Sequence, residues 1–267
     1  MAVAGAPRKR VNYEGDGGSV RRALRLMDAV SARHPQPVGL RTVAEATGLT
    51  KATAFRLLSV LVEEEILAFH PDTKAYSLGS RLTAIGARQL ARDPVRTAAR
   101  SAMQALWRAS GETVTLSVRQ GFERVYVDQI ESPQAVRFTV ELGSRQPLYA
   151  GASGRAILAW MAEAEVEGCI ERGLEALTPA TVTDAAALRA LLARTREQGF
   201  ALSHAERTGG VISVAAPILD GTGEPVGAIS VCAPDNRATL ESMAALGPQV
   251  AEASRTASRQ LGFVPEE

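Results

Sequence analysis

Cysteine and histidine are scarce in this chain of 267 residues. Cys169 and Cys232 are its two cysteines, too few for a disulfide scaffold and too isolated for a structural zinc site. Three histidines without ligand spacing argue against a catalytic metal, so no metal and no cofactor is expected. No apolar run approaches the roughly 18 residues needed to span a bilayer, and no membrane association is expected. Residues 1–10 are small and basic, with no apolar segment able to act as a secretion signal. No glycine-rich phosphate loop follows a strand. A reducing cytoplasm is the expected location. With 46% apolar residues, the chain can bury the cores of two ordinary domains.

Charge is plentiful but unevenly spread. Residues 1–100 hold 16 Lys+Arg against 9 Asp+Glu, and residues 101–267 hold 14 against 20. The net charges are therefore about +7 and about −6. A basic first part on an acidic remainder fits a nucleic-acid-binding domain joined to something else, although solvated surface charge alone can produce such a split.

The most informative segment runs from Gly39 to Leu61. It reads as a short helix over about 40–47, a left-handed stop at Gly48, and a second helix capped by Thr50. Leu40, Val43 and Ala44 are expected to be buried on the former, and Ala54, Leu57, Leu58, Leu61 and Val62 on the latter. This is the layout of a helix-turn-helix, whose second helix can enter the DNA major groove. An earlier helix begins near Ser19, with Val20, Ala23, Leu24, Met27 and Val30 at helical spacing, and ends at His34-Pro35. After the pair, residues 66–70 and 75–78 flank the turn Pro71-Asp-Thr-Lys74, a hairpin that serves as a wing. A further helix through Leu82, Ile85 and Leu90 has a narrow apolar seam suited to a partner chain or to its own wing.

From Val95 the pattern changes. A helix to about 109 precedes strands at 113–119, 124–130 and 136–142, read from alternation such as Val114, Leu116 and Val118. A helix is expected from Ala152–Ser153 to about Met161, with others near 163–173 and 184–198. Strands at 211–219 and 226–232 are joined by Asp220-Gly-Thr-Gly223, a hairpin signal. A last helix covers about 238–260. The expected class is α+β, with a sensor-like second domain.

Several stretches together resemble the IclR-type transcriptional regulators. In the first half these are Ser19-Val-Arg-Arg-Ala-Leu, Gly48-Leu-Thr-Lys-Ala-Thr-Ala-Phe-Arg-Leu-Leu58 and Tyr76-Ser-Leu-Gly79. In the second they are Leu142-Gly-Ser-Arg-Gln-Pro-Leu-Tyr-Ala150, Gly151-Ala-Ser-Gly-Arg-Ala-Ile-Leu158, Val211-Ile-Ser-Val-Ala-Ala-Pro-Ile218 and Gly227-Ala-Ile-Ser-Val-Cys-Ala-Pro234. The resemblance covers about 19–262. It implies a winged helix-turn-helix over 19–79, a linker helix over 80–93 and a GAF-like ligand domain over 94–262, with antiparallel sheet and flanking helices. Tails occupy 1–18 and 263–267, the first read as disordered and basic. It further implies dimers or dimers of dimers on operator DNA. Glu65 stands where family members usually carry glycine between recognition helix and wing, so left-handed strain or a different helix end is expected there.

Groove-facing chemistry gathers on the third helix. Thr50 and Thr53 can hydrogen-bond phosphates near the helix N-terminus. Lys51 can reach a guanine edge, Ala52 or the Thr53 methyl a thymine methyl, and Arg56 a phosphate. Lys74 in the wing, with Arg22 and Arg41, adds backbone contacts. The plain alternative for each one is a solvated surface residue.

For a ligand, Ala152-Ser153-Gly154 offers free N–H groups at a helix start, suited to a carboxylate. The resemblance adds Ser203, Ser213, Ser230 and Cys232 as pocket positions, with Phe138 and Leu148 as apolar walls. Relatives with small oxoacid ligands often carry an acidic residue at the position of Ser203 and a cysteine at that of Ser213. Both are serine here, so a different small organic acid is expected, an aromatic one being the first choice. The plain alternative is that these serines satisfy only backbone groups. Cys232 reads as a small buried residue, not a reactive thiol.

An enzyme reading is weak, and no catalytic residue is assigned. Gly151-Ala-Ser-Gly-Arg155 lacks the final glycine of a nucleophile elbow, and His204 with Asp220 does not complete a triad in a supporting order. A helix-turn-helix serving protein contacts alone is disfavoured by its cationic front. The expected activity is repression of transcription relieved by a small carboxylic acid, with acid-dependent activation of a catabolic cluster as the alternative.

Overall fold

The computed structural model describes residues 18–264, so most of the basic tail lies outside the described residues, as do the last three positions. The chain divides into two compact units after Gln89.

In the first unit, α1 (Gly18–Ser31), α2 (Leu40–Thr47) and α3 (Lys51–Glu63) pack around Leu26, Val30, Val43, Ala44, Ala54 and Leu58. Gly48 adopts φ 68° and stops α2, its N–H donating back to Glu45. Thr50 caps α3, its Oγ1 accepting the Thr53 N–H at 3.3 Å. The wing pairs β2 (Leu67–His70) with β3 (Ala75–Leu78), and β3 also pairs with the two-residue β1 (Val38–Gly39), which the sequence did not signal.

The buried register of α1 differs from the expected one. Leu26 and Val30 are buried, whereas Val20 is 68% and Leu24 52% exposed. The helix carries two apolar stripes, and spacing alone does not say which of them meets α2 and α3. Ser19 lies inside the first turn, because the helix already runs from Gly18.

Glu65 takes φ 56°, the left-handed strain anticipated for a non-glycine residue at this junction. Its neighbours hold it there. The Ile66 N–H donates to Leu61 O at 2.9 Å and the Arg81 N–H to Glu65 O at 3.2 Å. The Ser80 hydroxyl donates to Glu65 Oε2 at 3.2 Å. A Cβ on Gly79 would overlap the Glu65 carbonyl, so the chain must be bare at that point.

α4 (Ser80–Ala91) follows the wing and spans the division between the units. It buries none of its residues among the described ones, and Ile85 is 51% exposed. The second unit is a six-stranded antiparallel sheet in the order β6-β5-β4-β9-β8-β7. Its strands are β4 (Thr113–Gln120), β5 (Glu123–Ile130), β6 (Arg145–Pro147), β7 (Ala201–His204), β8 (Val211–Leu219) and β9 (Pro225–Pro234). α5 (Pro94–Ser110) and α9 (Leu240–Gln260) cover one face, over Val114, Leu116, Val214, Ile229 and Val231. A second apolar cluster gathers α6 (Ala152–Leu158), α7 (Glu163–Glu171) and α8 (Ala185–Gln198) around Leu148, Ile157, Leu158, Leu188 and Leu192.

Two expectations need correction, and two short strands carried no signal. Residues 136–142 are not a strand. Side chains take up their backbone groups instead: the Gln129 amide donates to Val140 O at 3.0 Å and accepts the Val140 N–H at 2.9 Å. The Thr113 hydroxyl donates to Phe138 O at 2.6 Å. The edge strand is Arg145–Pro147, where proline costs no ladder bond on its open side. α6 ends at Leu158, short of Met161, and β7 stood unrecognised in the sequence because four residues carry too little alternation to register.

Replacing Glu65 with glycine should relieve the left-handed strain and stabilise the first unit by about 0.5–1 kcal/mol, net of the added freedom of the unfolded chain. Thermal unfolding of the full chain tests this; an unchanged or lower midpoint for that unit would refute it.

Candidate functional site

Alternation in the central strands makes two different sheet faces. One set of residues meets α5 and α9, and the other set is small and polar. Register then lines Ser203, Ser213 and Cys232 in one row across β7, β8 and β9. Ser230 lies one pleat along β9, its Oγ 3.3 Å from Cys232 Sγ. This polar face is the floor of a small, partly open cavity of about 20 Å³, so a ligand larger than a water needs its walls to move apart.

The walls come from Arg124 and Tyr126 on β5 and from Phe138, which is held by the Thr113 bond. Gly151, Ala152 and Ser153 close another side. Glu206, Arg207 and Thr208 follow β7, after a turn in which Ala205 takes φ 58°. A left-handed alanine costs energy and persists only where its surroundings insist on it. Here it sends Glu206 back towards α6 and leaves Arg207 facing the aromatic wall.

Glu206 is neutralised. Arg155, only 1% exposed, donates through Nη1 to Glu206 Oε2 and through Nη2 to the Leu202 carbonyl. The backbone of Glu206 is held as well, its carbonyl accepting from Thr178 at 3.1 Å and from Thr181 at 2.6 Å. Arg124 is the opposite case. It is 2% exposed, and its Nε and Nη1 have no hydrogen-bond partner among the described residues. Its guanidinium carbon sits 4.6 Å from the Tyr126 ring centroid. Burial pushes the Cys232 thiol up, against lowering by Ser230 and the charges of Arg207 and Arg124. The group is therefore a neutral thiol at the cavity floor.

Of the ligand residues expected from sequence, Phe138, Ala152, Ser153, Ser203, Ser213, Ser230 and Cys232 all line this cavity. Leu148 does not: it is fully buried in the apolar cluster around α6. α6 has seven residues, too short a helix for its aligned dipole to be the main attraction for an anion. The charge comes from Arg124 and Arg207, which sequence reading missed because an isolated arginine carries no sign of burial.

In the first unit, Thr50, Lys51, Ala52 and Arg56 are exposed, Thr53 is half-buried, and Arg22 and Lys74 are exposed. The Thr50 hydroxyl donates to Thr53 Oγ1 at 3.0 Å, tying the two together. Arg41 is exposed and pairs with Glu45 at 2.7 Å, a surface contact weak enough to leave it open to a phosphate. Phe55, 55% exposed on the same helix, was overlooked because it was counted with neither the core nor the polar front. Lys74 takes φ 52° at the tip of the wing.

Among the described residues nothing assembles a hydrolytic triad. His204 Nε2 lies 3.0 Å from Asp235 Oδ2, and the Asp220 carboxylate accepts from Thr222 and Glu224 within its own turn.

A winged helix with a cationic recognition face, on a chain whose second unit encloses a polar ligand cavity, defines a ligand-responsive DNA-binding regulator. The IclR helix-turn-helix domain matches residues 19–71, and the bacterial transcriptional regulator IclR C-terminal domain matches 87–259. The chain is 31% identical over 247 residues to the HTH-type transcriptional regulator XynR of Escherichia coli K12, covering 92% of this chain and 97% of that one. It is 34% identical over 216 residues to the HTH-type transcriptional repressor AllR of the same organism, covering 80% of each. The crystal structure of an IclR transcriptional regulator from Alicyclobacillus acidocaldarius superposes with TM-score 0.82 at 28% identity, covering 91% of this chain and 98% of that one. The chain belongs to the IclR family of transcriptional regulators. It is a DNA-binding transcriptional regulator, and not an enzyme.

Exchanging Glu206 for alanine should leave Arg155 buried without a counter-charge and lower the stability of the second unit by about 3–5 kcal/mol. Urea unfolding reads this directly, and a loss under about 1 kcal/mol would contradict it. The double change Arg155→Met with Glu206→Leu should recover most of the loss.

Proposed function

We propose that this regulator is a repressor released from its operator by a small organic acid bound in the cavity of the second unit. The observation that carries the acid is Arg124, a fully buried guanidinium with two nitrogens lacking a partner. A guanidinium keeps its charge, so burial is relieved only by an anion or by hydrogen-bond acceptors. Ser153 and Ala152 bound the same space with small side chains, and Ser203, Ser213 and Ser230 supply hydroxyls for a second polar end. Tyr126 and Phe138 offer faces for an aromatic ring.

On DNA, Lys51, Ala52 and Arg56 lie exposed near the start of α3 and read or position the major groove. Thr50, Thr53, Lys74 and Arg22 contribute backbone contacts. The protein acts as a dimer or a dimer of dimers. α4 supports this, since it buries no residue among the described ones while presenting Ile85 and Leu90. A two-fold dimer prefers a pseudo-palindromic operator. Blocking a promoter requires no contact beyond occupancy, which favours repression. Acting on DNA, the protein works in the cytoplasm.

Mobility shifts on the gene's own upstream region test the DNA half. Arg56→Ala should weaken binding to every sequence and reduce the slope of log affinity against log salt by about 1. Equal affinity with an equal slope would remove that role. Calorimetry with benzoate and other small carboxylates tests the cavity. Ser153→Trp should abolish their binding, and undiminished binding would exclude this pocket.

A further inference from the structure

The cavity holds more positive charge than one carboxylate balances. Among its lining residues the only carboxylate is Glu206, and Arg155 behind it already neutralises it. That leaves Arg124 and Arg207, neither of whose guanidinium groups makes a hydrogen bond or ion pair to any described residue. Both face the same ring: their guanidinium carbons lie 4.6 Å and 5.6 Å from the Tyr126 centroid, and that of Arg207 is also 5.6 Å from the Phe138 centroid. Both also flank Gly151, where an added Cβ would stand 3.9 Å from Arg124 Nη2 and 3.9 Å from Arg207 Cβ. Two cations that share one ring repel each other, and an anion beside each relieves that repulsion. Aromatic faces stabilise a cation but do not replace a counter-ion.

We infer that the effector is a small dicarboxylate, one carboxylate taken by buried Arg124 and the other by half-buried Arg207. Its carbon frame lies against Tyr126 and Phe138. A planar guanidinium matches a carboxylate with two parallel N–H donors, and in Arg124 the unpartnered Nε and Nη1 can each form such a pair with Nη2. Arg207, nearer the solvent, discriminates a dicarboxylate from a monocarboxylate of the same shape, and Arg124 is required by both. The inference rests on the acid-binding cavity proposed above and adds the number and placement of the charges.

Calorimetry on the full chain with phthalate and succinate against benzoate and butyrate tests it. Phenyl phosphate serves as a dianion whose two charges share one group. In the wild type each dicarboxylate should bind about tenfold or more tighter than its monocarboxylate, and phthalate tighter than phenyl phosphate. Arg207→Gln should bring the dicarboxylate down to the monocarboxylate and leave the latter within about twofold. Arg124→Gln should lose both. Thermal midpoints without ligand report whether that variant folds, and a midpoint equal to or above the wild type is expected once a buried unpaired cation is removed. Equal binding of the two classes, a preference surviving Arg207→Gln, or tighter phenyl phosphate would overturn the two-arginine assignment. The acid cavity would then still stand if Ser153→Trp abolished binding of the monocarboxylates. Absence of binding by any of these acids overturns both.

Discussion

The ion pair between Arg155 and Glu206 organises the second unit around its cavity. It ties α6 to the end of β7 through Glu206 Oε2 and the Leu202 carbonyl. With the Thr178 and Thr181 hydroxyls on its backbone, Glu206 becomes a fixed point in an irregular turn. A buried pair is weak evidence for net stability, because desolvating both charges offsets most of their attraction. Its consequence here is electrostatic. It removes the one carboxylate lining the cavity from the charge balance, so Arg124 and Arg207 face the interior uncompensated. That neutralisation leaves the site cationic, between two aromatic rings and above a floor of hydroxyls.

The same logic of local commitment runs through the DNA-binding unit. α3 is capped by Thr50, and its entry residues are left in solvent while Ala54 and Leu58 hold the core. Its exit is harder. Glu65 sits in a backbone region that favours glycine, and the close passage of Gly79 with the bonds from Ser80 and Arg81 keeps it there. The wing therefore springs from a strained but braced junction, and Lys74 at its tip is again left-handed. Strain tolerated at both ends of a short hairpin is what lets four-residue strands set the position of a cation.

Much of this was legible because periodicity and punctuation report directly on backbone geometry. Gly48, Thr50 and Asp220-Gly-Thr-Gly223 mark ends and turns by chemistry that acts within a few residues. The misreadings share one cause, which is competition between a local pattern and a distant partner. Residues 136–142 alternate like a strand, yet a glutamine side chain and a threonine hydroxyl satisfy their backbone groups. In α1 two apolar stripes compete, and contact with α2 and α3 selects Leu26 and Val30 over Val20 and Leu24. Leu148 belongs to the core and not to the cavity, a distinction of a few ångströms that apolar character does not encode.

By itself the sequence determined the helix-turn-helix, its cationic front and the sensor-like second domain, while the serine and cysteine positions of the cavity floor came through the family resemblance. Each of these rests on residues near one another in the chain, or on a strand face repeating every second position. Only the tertiary structure decided the charge of the cavity. Whether an arginine is a solvated surface group, a partner in a pair or a buried cation without a hydrogen-bond partner among the described residues depends on what folds over it. Arg41, Arg155 and Arg124 are alike as letters in the sequence and take those three fates.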